Sequence, residues 1–283
     1  MQKGCPYRRK DREIGVCFTM VNLSKRLLAV AGLAGSCKTA ADVGTDHGYI
    51  PVHLVLAQKA ERAIAMDVNK GPLCRAEEHI LQYGLEHQIE TRLSDGLAAL
   101  EPGEADVIVV AGMVGALMQR ILAQGQETAQ EAARLVLQPQ SEVMAFRQFL
   151  FAGGYKITAE DMVLEDGKYY PAIAAQYVGS GKNAASFRFA QESQYLANAA
   201  GQSHRVACKF GPVLLRQSHP VLKQFLLRQQ QQKQKILEQL QANARQDITR
   251  RRQELLEELE DIRAAFRLMD EADQERRKSY GLP

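Results

Sequence analysis

Short apolar runs and stretches of helical spacing take turns along the first 180 residues or so of this chain; after a mixed stretch, helical spacing takes over. Leu23, Leu27, Val30 and Ala31 fall on one helical face and predict a helix over Ser24–Leu33, capped by Asn22 or Ser24. Runs at Ala40–Val43, Ala63–Val68, Ile89–Leu93, Asp106–Val110 and Arg134–Gln138 read as strands. Helices are predicted over Ile50–Lys59, Lys70–Tyr83, Ala116–Ala123 and Glu142–Ala152. Asp106–Val110 is almost wholly apolar, as suits a central parallel strand covered on both faces. Tyr155–Leu164 and Tyr169–Val178 flank Glu-Asp-Gly-Lys, and Asp166-Gly167 is a strong hairpin turn pair. Five β/α alternations closed by an antiparallel hairpin, and not by a parallel sixth strand, predict a doubly wound α/β sheet.

The stretch Thr39–Pro51, T-A-A-D-V-G-T-D-H-G-Y-I-P, organises the rest. A strand runs into the loop Gly44-Thr-Asp-His-Gly48, and a helix starts near Ile50 with Pro51 where a missing N–H is harmless. A dinucleotide fingerprint carries a second glycine at the place Asp46 takes here, so that pyrophosphate can sit on the helix N-terminus. A carboxylate repels phosphate and suits a cation. S-adenosylmethionine, with its sulfonium and α-ammonium, fits this loop better than NAD, ATP or FAD. The plainer alternative is a strand-to-helix turn with Asp46 as a cap.

Other strand ends extend the pattern. Asp67 stands 23 residues after Gly44, where a carboxylate can hold a ribose diol, with Val68 beside it. Ser94-Asp95-Gly96 is either a plain turn or an adenine edge at which Asp95 accepts from the exocyclic amine. Ala111-Gly112-Met113-Val114-Gly115 reads as a loop at the sheet's C-terminal edge. Gly112 and Gly115 permit close approach, and Met113 is a soft wall or a core residue. Lys25 and Arg26 either face solvent or meet an anion such as a carboxylate.

Composition narrows the class. Hydrophobic residues make up 46%, enough for a real core, and the net charge of +3 leaves any nucleic-acid surface to local clustering. The five cysteines form no C-x-x-C pair and read as reduced thiols. No apolar run is long enough to span a membrane, and the chain reads as cytoplasmic. Residues 1–20 read as a disordered extension, with Met20 as a possible start of the patterned chain; residues 21–180 form the α/β domain and 181–283 a helical domain.

In that last part Leu222, Leu226, Gln229, Lys233, Ile236 and Leu240 step by fours and threes, as do Ile248, Arg252, Leu255, Leu259, Ile262, Phe266 and Met269. This is a coiled-coil seam broken around Gln241–Asp247, giving two antiparallel helices or one long one. Arg250–Arg252, Arg263 and Arg267 alternate with acids, as a solvated face or as a sequence-blind arm for RNA phosphates.

Leu23-Ser-Lys-Arg-Leu27, Asp42-Val-Gly-Thr-Asp-His-Gly-Tyr49, Asp95-Gly96-Leu97, Ala111-Gly112-Met113, Leu137-Gln-Pro139, Asp166-Gly-Lys168 and Gly211-Pro212 together resemble the bacterial tRNA (adenine-22-N1)-methyltransferase family, TrmK. The resemblance implies a class I S-adenosylmethionine methyltransferase sheet, Rossmann-like with a terminal antiparallel hairpin, followed by a C-terminal helical coiled-coil domain. It implies S-adenosylmethionine as cofactor, tRNA as partner, no metal, and 1-methyladenosine as product. Carried onto this chain, Arg26, Asp42, Gly44, Asp46, His47, Gly48, Asp67, Val68, Asp95, Gly96, Ala111 and Gly112 bind the cofactor. Gly112 and Met113 face the methyl group and the base, and Tyr49 or His47 stacks on or bonds to the adenine; a histidine in such a loop can also serve only to fix the backbone. Two departures stand out: Val114 replaces a glycine of the family's Gly-Met-Gly-Gly, and Asp67 replaces a frequent Glu. The rivals are a methyltransferase acting on another RNA base or a small molecule, and a non-catalytic RNA-binding adaptor.

Overall fold

A computed structural model describes residues 21–179, 202–242 and 249–279. The predicted N-terminal extension with its Met20 start, the Gly179–Asn183 linker after its first residue, and most of the Gln241–Asp247 break lie outside the described residues. One seven-stranded sheet has the order β3-β2-β1-β4-β5-β7-β6. Its strands are β1 (Cys37–Val43), β2 (Ala60–Asp67), β3 (Ile89–Leu93), β4 (Val107–Met113), β5 (Arg134–Pro139), β6 (Tyr155–Glu165) and β7 (Lys168–Tyr177). The first five are parallel, and β7 returns antiparallel to β5, with Leu137 opposite Ile173. β1 pairs with both β2 and β4, so the strand order reverses on either side of it. Ligands of open α/β sheets bind in the crevice outside such a reversal.

The chain divides into two compact units: the described residues of Met1–Gln140 with Ala172–Tyr177, and those of Ser141–Pro171 with Val178–Pro283. In the first, helices α1 (Lys25–Ala34), α2 (Tyr49–Leu56) and α3 (Lys70–Gln82) join the strands in one core through Val30, Ala31, Val52, Leu54, Ala76 and Ile80. Ser24 caps α1 by accepting from the Leu27 N–H, as its sequence position predicts. α2 is buried from Ile50 to Val55, which explains its near-continuous apolar sequence. Pro51 is its third residue and not its first, still inside the turn whose N–H groups lack helical partners. α2 also stops earlier than predicted, because Gln58 turns to φ 55 and the Lys59 N–H returns to the Leu54 carbonyl.

β1 and β2 begin earlier than their apolar runs. Cys37 pairs with Ala60 and Thr39 with Arg62, because backbone pairing outlasts burial, and the Asp106 carboxylate accepts from the Lys38 and Thr39 N–H groups. Between α4 (Gly115–Gln124) and β5 lies a short helix, α5 (Gln126–Glu131), that the spacing did not announce. The predicted hairpin forms with Asp166 at φ 47 and Gly167 at φ 75, both central turn residues left-handed.

The second unit contains α6 (Val143–Ala152), β6, α7 (Gln202–Phe210), α8 (Pro212–Arg216), α9 (Pro220–Ala242) and α10 (Thr249–Ser279). Its polar heart is an ion pair between Arg147 and Glu160, Nε to Oε1 at 2.8 Å, with both side chains out of solvent. The Arg147 guanidinium also donates to the Cys208 and Lys209 carbonyls at the end of α7. The Glu160 carboxylate accepts from the Val213 and Leu214 N–H groups at the start of α8. Each charge therefore complements the helix end it meets. Gly211 links the two helices at φ 101, and a Cβ there would stand 2.7 Å from a Glu160 oxygen. This gives the Gly211-Pro212 pair its reason: glycine for space and φ, proline for the helix start.

α9 and α10 run antiparallel. Leu237 packs with Leu255 and Leu259, Leu222 and Leu226 cluster with Ile262 and Met269, and Lys233 meets Glu258. Leu237 is buried where the predicted seam put Ile236, which is exposed. Most other apolar seam positions within the described residues hold. No helix among the described residues is long and apolar enough to cross a membrane.

Replacing Arg147 by Met would leave the Glu160 carboxylate buried without a counter-charge. Urea unfolding should show a loss of about 3–5 kcal/mol. The double variant Arg147→Met/Glu160→Gln should recover part of it, since a neutral amide oxygen can still accept from Val213.

Candidate active site at the sheet edge

The C-terminal ends of β1, β2, β3, β4 and β5 bring nearly all the sequence-predicted residues to one edge. Asp42, Gly44, Asp46, His47, Gly48 and Tyr49 lie at or after the end of β1; Asp67 and Val68 at that of β2; Asp95 and Gly96 after β3; Ala111, Gly112 and Met113 at that of β4. Arg26 comes from α1 and reaches the same edge through β5, its Nη1 donating to Gln138 Oε1 at 2.9 Å. It is therefore not a purely solvated side chain. Gln138 is fully buried.

The β1–α2 loop holds three left-handed residues, Gly44 at φ 75, His47 at φ 61 and Gly48 at φ 65. Only His47 is not glycine, and histidine tolerates that region better than most residues. The Gly44 and Thr45 N–H groups both donate to the Met66 carbonyl at 2.8 Å, which ties the loop to β2. Asp46 does not cap α2; its cap is Gly48, with no side-chain bond. Instead Asp46 accepts from Arg75 of α3 at 2.8 Å, with His47 Nε2 3.5 Å away. The rings of His47, Tyr49 and His79 form a cluster, with centroids 5.3 Å apart for His47–Tyr49 and 5.1 Å for Tyr49–His79.

The predicted Ala111–Gly115 loop is strand for most of its length. β4 continues through Met113, pairing Ala111 with Gln138 and Met113 with Pro139, and the register shifts between them. Gly112, at φ 81, is the extra residue of this bulge. A Cβ on it would come 3.5 Å from Arg26 Nη1. Val114 is the N-cap of α4 at φ −71 and ψ 148, extended backbone open to any residue, and its side chain is 47% exposed. The departure from the family's glycine therefore does not strain the loop. Met113 leans over β1, its Cε 2.0 Å from where a Gly44 Cβ would stand.

Asp42 is the buried acid of the edge. It is buried in the central strand, and that burial pushes its carboxyl up to about 6; the Thr45 hydroxyl opposes the shift and the charge of Asp67 adds to it. Asp67 accepts from the Asn69 N–H at 2.7 Å through one oxygen. Ser94 is buried and shapes its turn by donating to the Gly96 carbonyl, while Asp95 is exposed. Val68 (57%) and Leu93 (53%) stand exposed at the ends of paired strands. Among the described residues no group of three His, Cys, Asp or Glu could hold a metal ion.

Sequence reasoning gave no role to Arg75, His79, Leu93 or Gln138. Gln138 stood in a quoted motif and was legible as a polar residue closing an apolar strand. Leu93 was legible as the last strand residue before Ser94-Asp95. Arg75 and His79 carried no signal, being polar positions on a helix known only by its apolar Leu73, Ile80 and Leu81.

The residues fit S-adenosylmethionine: carboxylates at this edge suit its cationic groups, the buried Asp42 among them, and apolar Val68 stands exposed next to Asp67.

A family model described as a methyltransferase domain matches residues 23–173. The tRNA (adenine(22)-N(1))-methyltransferase of Bacillus subtilis is 38% identical over 156 residues, 55% of this chain and 66% of that protein's length. The crystal structure of the B. subtilis m1A22 tRNA methyltransferase TrmK superposes with a TM-score of 0.68 at 30% identity, covering 87% of this chain and 99% of that one. Streptococcus pneumoniae Sp1610 in complex with S-adenosyl-L-methionine matches with a TM-score of 0.65 at 30% identity, covering 86% and 99%.

Because the Asp42 carboxyl is raised from 3.8 to about 6, the folded state holds that proton more tightly than the unfolded chain. Stability should be greatest at low pH, as far as this group goes, fall between those two values, and level off above. Asp42→Asn should remove that fall and raise the unfolding free energy at pH 7 by about 2–3 kcal/mol. Urea titrations at stepped pH, without ligand, check both.

Proposed function

The chain belongs to the methyltransferase-domain family, and within it to the TrmK-like tRNA methyltransferases; from that premise we propose that it methylates N1 of adenine 22 in tRNA, giving 1-methyladenosine. The observation that carries the reading is the meeting of the Asp42–Tyr49 loop with the Gly112-Met113 bulge at the strand reversal, beside the carboxylates of Asp67 and Asp95.

S-adenosylmethionine supplies a methyl group on an electrophilic sulfonium. Asp42, Gly44, Asp46, His47 and Gly48 are its binding loop, with the acids favouring its positive groups. Asp67 holds the ribose diol, Val68 lies along the adenine, and Asp95-Gly96 accept its exocyclic amine. Arg26, steadied by Gln138, meets the carboxylate of the methionine end beside Ala111 and Gly112. Gly112 and Met113 border the methyl group and the target base.

The target adenine N1 is unprotonated at neutral pH, so its lone pair needs no general base. What the protein supplies is alignment and tolerance of a charge that moves from sulfur to the base. N1 is engaged in Watson–Crick pairs, so the base must be unpaired or turned out of its helix. His47 and Tyr49 receive it.

Residues 21–180 act as the methyltransferase domain and 181–283 as the helical domain, with α9 and α10 a coiled coil serving as a contact arm for tRNA. Arg250 and Arg251 pair with Glu254, and Arg263 and Arg267 with Glu260, on the exposed surface of α10. Such pairs hold weakly, leaving these arginines available to phosphates in a salt-sensitive way.

Labelled methyl transfer to unmodified tRNA should place 1-methyladenosine at position 22, identified by nucleoside analysis and mapping. Transfer to a different base, or none despite cofactor binding, would replace the proposed substrate. Asp67→Ala should weaken S-adenosylmethionine binding roughly tenfold or more by calorimetry; unchanged affinity would remove Asp67 from the site.

A further inference from the structure

Helix α3 grips the β1–α2 loop from one face. Arg75 Nη2 donates to Asp46. The Ala76 Cβ lies 3.2 Å from where a Cβ on Gly48 would stand. One turn after Arg75, His79 Nδ1 lies 2.9 Å from the His47 carbonyl oxygen. A carbonyl only accepts, so His79 carries a proton on Nδ1 and donates it.

The grip falls on the backbone that needs it. His47 and Gly48 are successive left-handed residues, and a non-glycine residue keeps such a conformation only where its surroundings over-determine it. The His79 ring also packs against both aromatic side chains of the loop, 5.6 Å from His47 and 5.1 Å from Tyr49 between centroids. One side chain thus sets the His47 backbone and borders the rings of His47 and Tyr49 together.

We propose that His79 is a positioning residue for methyl transfer: by donating to the His47 carbonyl and packing on the Tyr49 ring, it fixes the pair of aromatic side chains that receive the target adenine. This rests on the tRNA-methylation reading and adds to it a residue outside the loop that governs how the base is presented. Its effect falls chiefly on base presentation: the His47 backbone it bonds also belongs to the cofactor loop, but both rings it packs against are those that receive the base.

The test uses the full chain with unmodified tRNA as substrate and S-adenosylmethionine as donor. Four variants are compared with the unaltered protein: His79→Ala, His79→Gln, His47→Ala, and His47→Ala with His79→Ala. His79→Ala should lower kcat/KM for tRNA by about tenfold, a scale that misplacement in a reactive complex readily reaches. Calorimetric affinity for S-adenosylmethionine should stay within about twofold. His79→Gln, whose side-chain amide can donate to the same carbonyl, should regain most of the loss. In the His47→Ala background, adding His79→Ala should cost less than in the unaltered protein, about threefold, because one of the two rings being positioned is already gone.

Full activity in His79→Ala would overturn the proposal. So would a failure of glutamine to rescue, a loss in the His47→Ala background as large as in the unaltered protein, or a fall in cofactor affinity that matches the fall in turnover. The unaltered protein is measured first. Absence of transfer there would overturn the tRNA-methylation reading itself, and this proposal with it, whereas a defect confined to the variant ratios bears on His79 alone.

Discussion

A parallel sheet has to be covered on both faces, and the chemistry of this protein is arranged around that constraint. Val107–Val110 and Leu135–Gln138 are buried throughout, and so are Ala40–Val43. Along those lengths a charge would have to be stripped of water. Polar groups can gather at low cost only where the strands end, and there they gather: Asp67, Asp95, Gln138 and the glycine turns after β1 and within the end of β4. Asp42 is the exception that shows the rule. It lies one residue inside the end of β1, and the shift of its carboxyl to about 6 measures what that position demands. The reversal of strand order at β1 then opens a gap between the loops, so acids, glycines and a thioether face a common space.

The second unit solves a different problem by similar physics. Arg147 and Glu160 are buried like Asp42, yet each meets an opposite charge and a helix end of complementary sign. The pair organises the end of α7, the turn at Gly211 and the start of α8. By contrast, the arginines along α10 pair with glutamates in open solvent, where screening and side-chain entropy cancel most of the attraction. The same residue types therefore hold structure in one place and remain available in the other.

Much of this was legible in the sequence because it depended on local rules. The apolar runs marked the strands, Asp166-Gly167 marked the hairpin, Asn22 or Ser24 marked the start of α1, and Gly44 and Gly48 marked a tight turn. What escaped depended on tertiary contact. The extension of β4 through Gly112 required a partner at Pro139 that no local pattern names. The identity of the buried residue in α9, Leu237 and not Ile236, turns on which face of that helix meets Leu255 and Leu259 of α10. Arg75 and His79 look like surface residues of an amphipathic helix, and their place in the site follows only once α3 lies against the β1–α2 loop. Val114 misled for the opposite reason: a missing glycine suggested strain, but its backbone is extended and open to any residue.

One contact carries a subtler lesson. Met113 reaches into the volume that any side chain at position 44 would claim, so two residues far apart in the chain share a single seat. A thioether is supple and would swing aside instead of resisting. A chain with alanine at 44 would then fold with only the modest penalty of its left-handed backbone, yet present its methionine to the wrong part of the cleft. Such a lesion would pass a melting curve almost unnoticed and be felt in fidelity. The two positions therefore share one volume, and what stands at 44 decides where the thioether of 113 can lie.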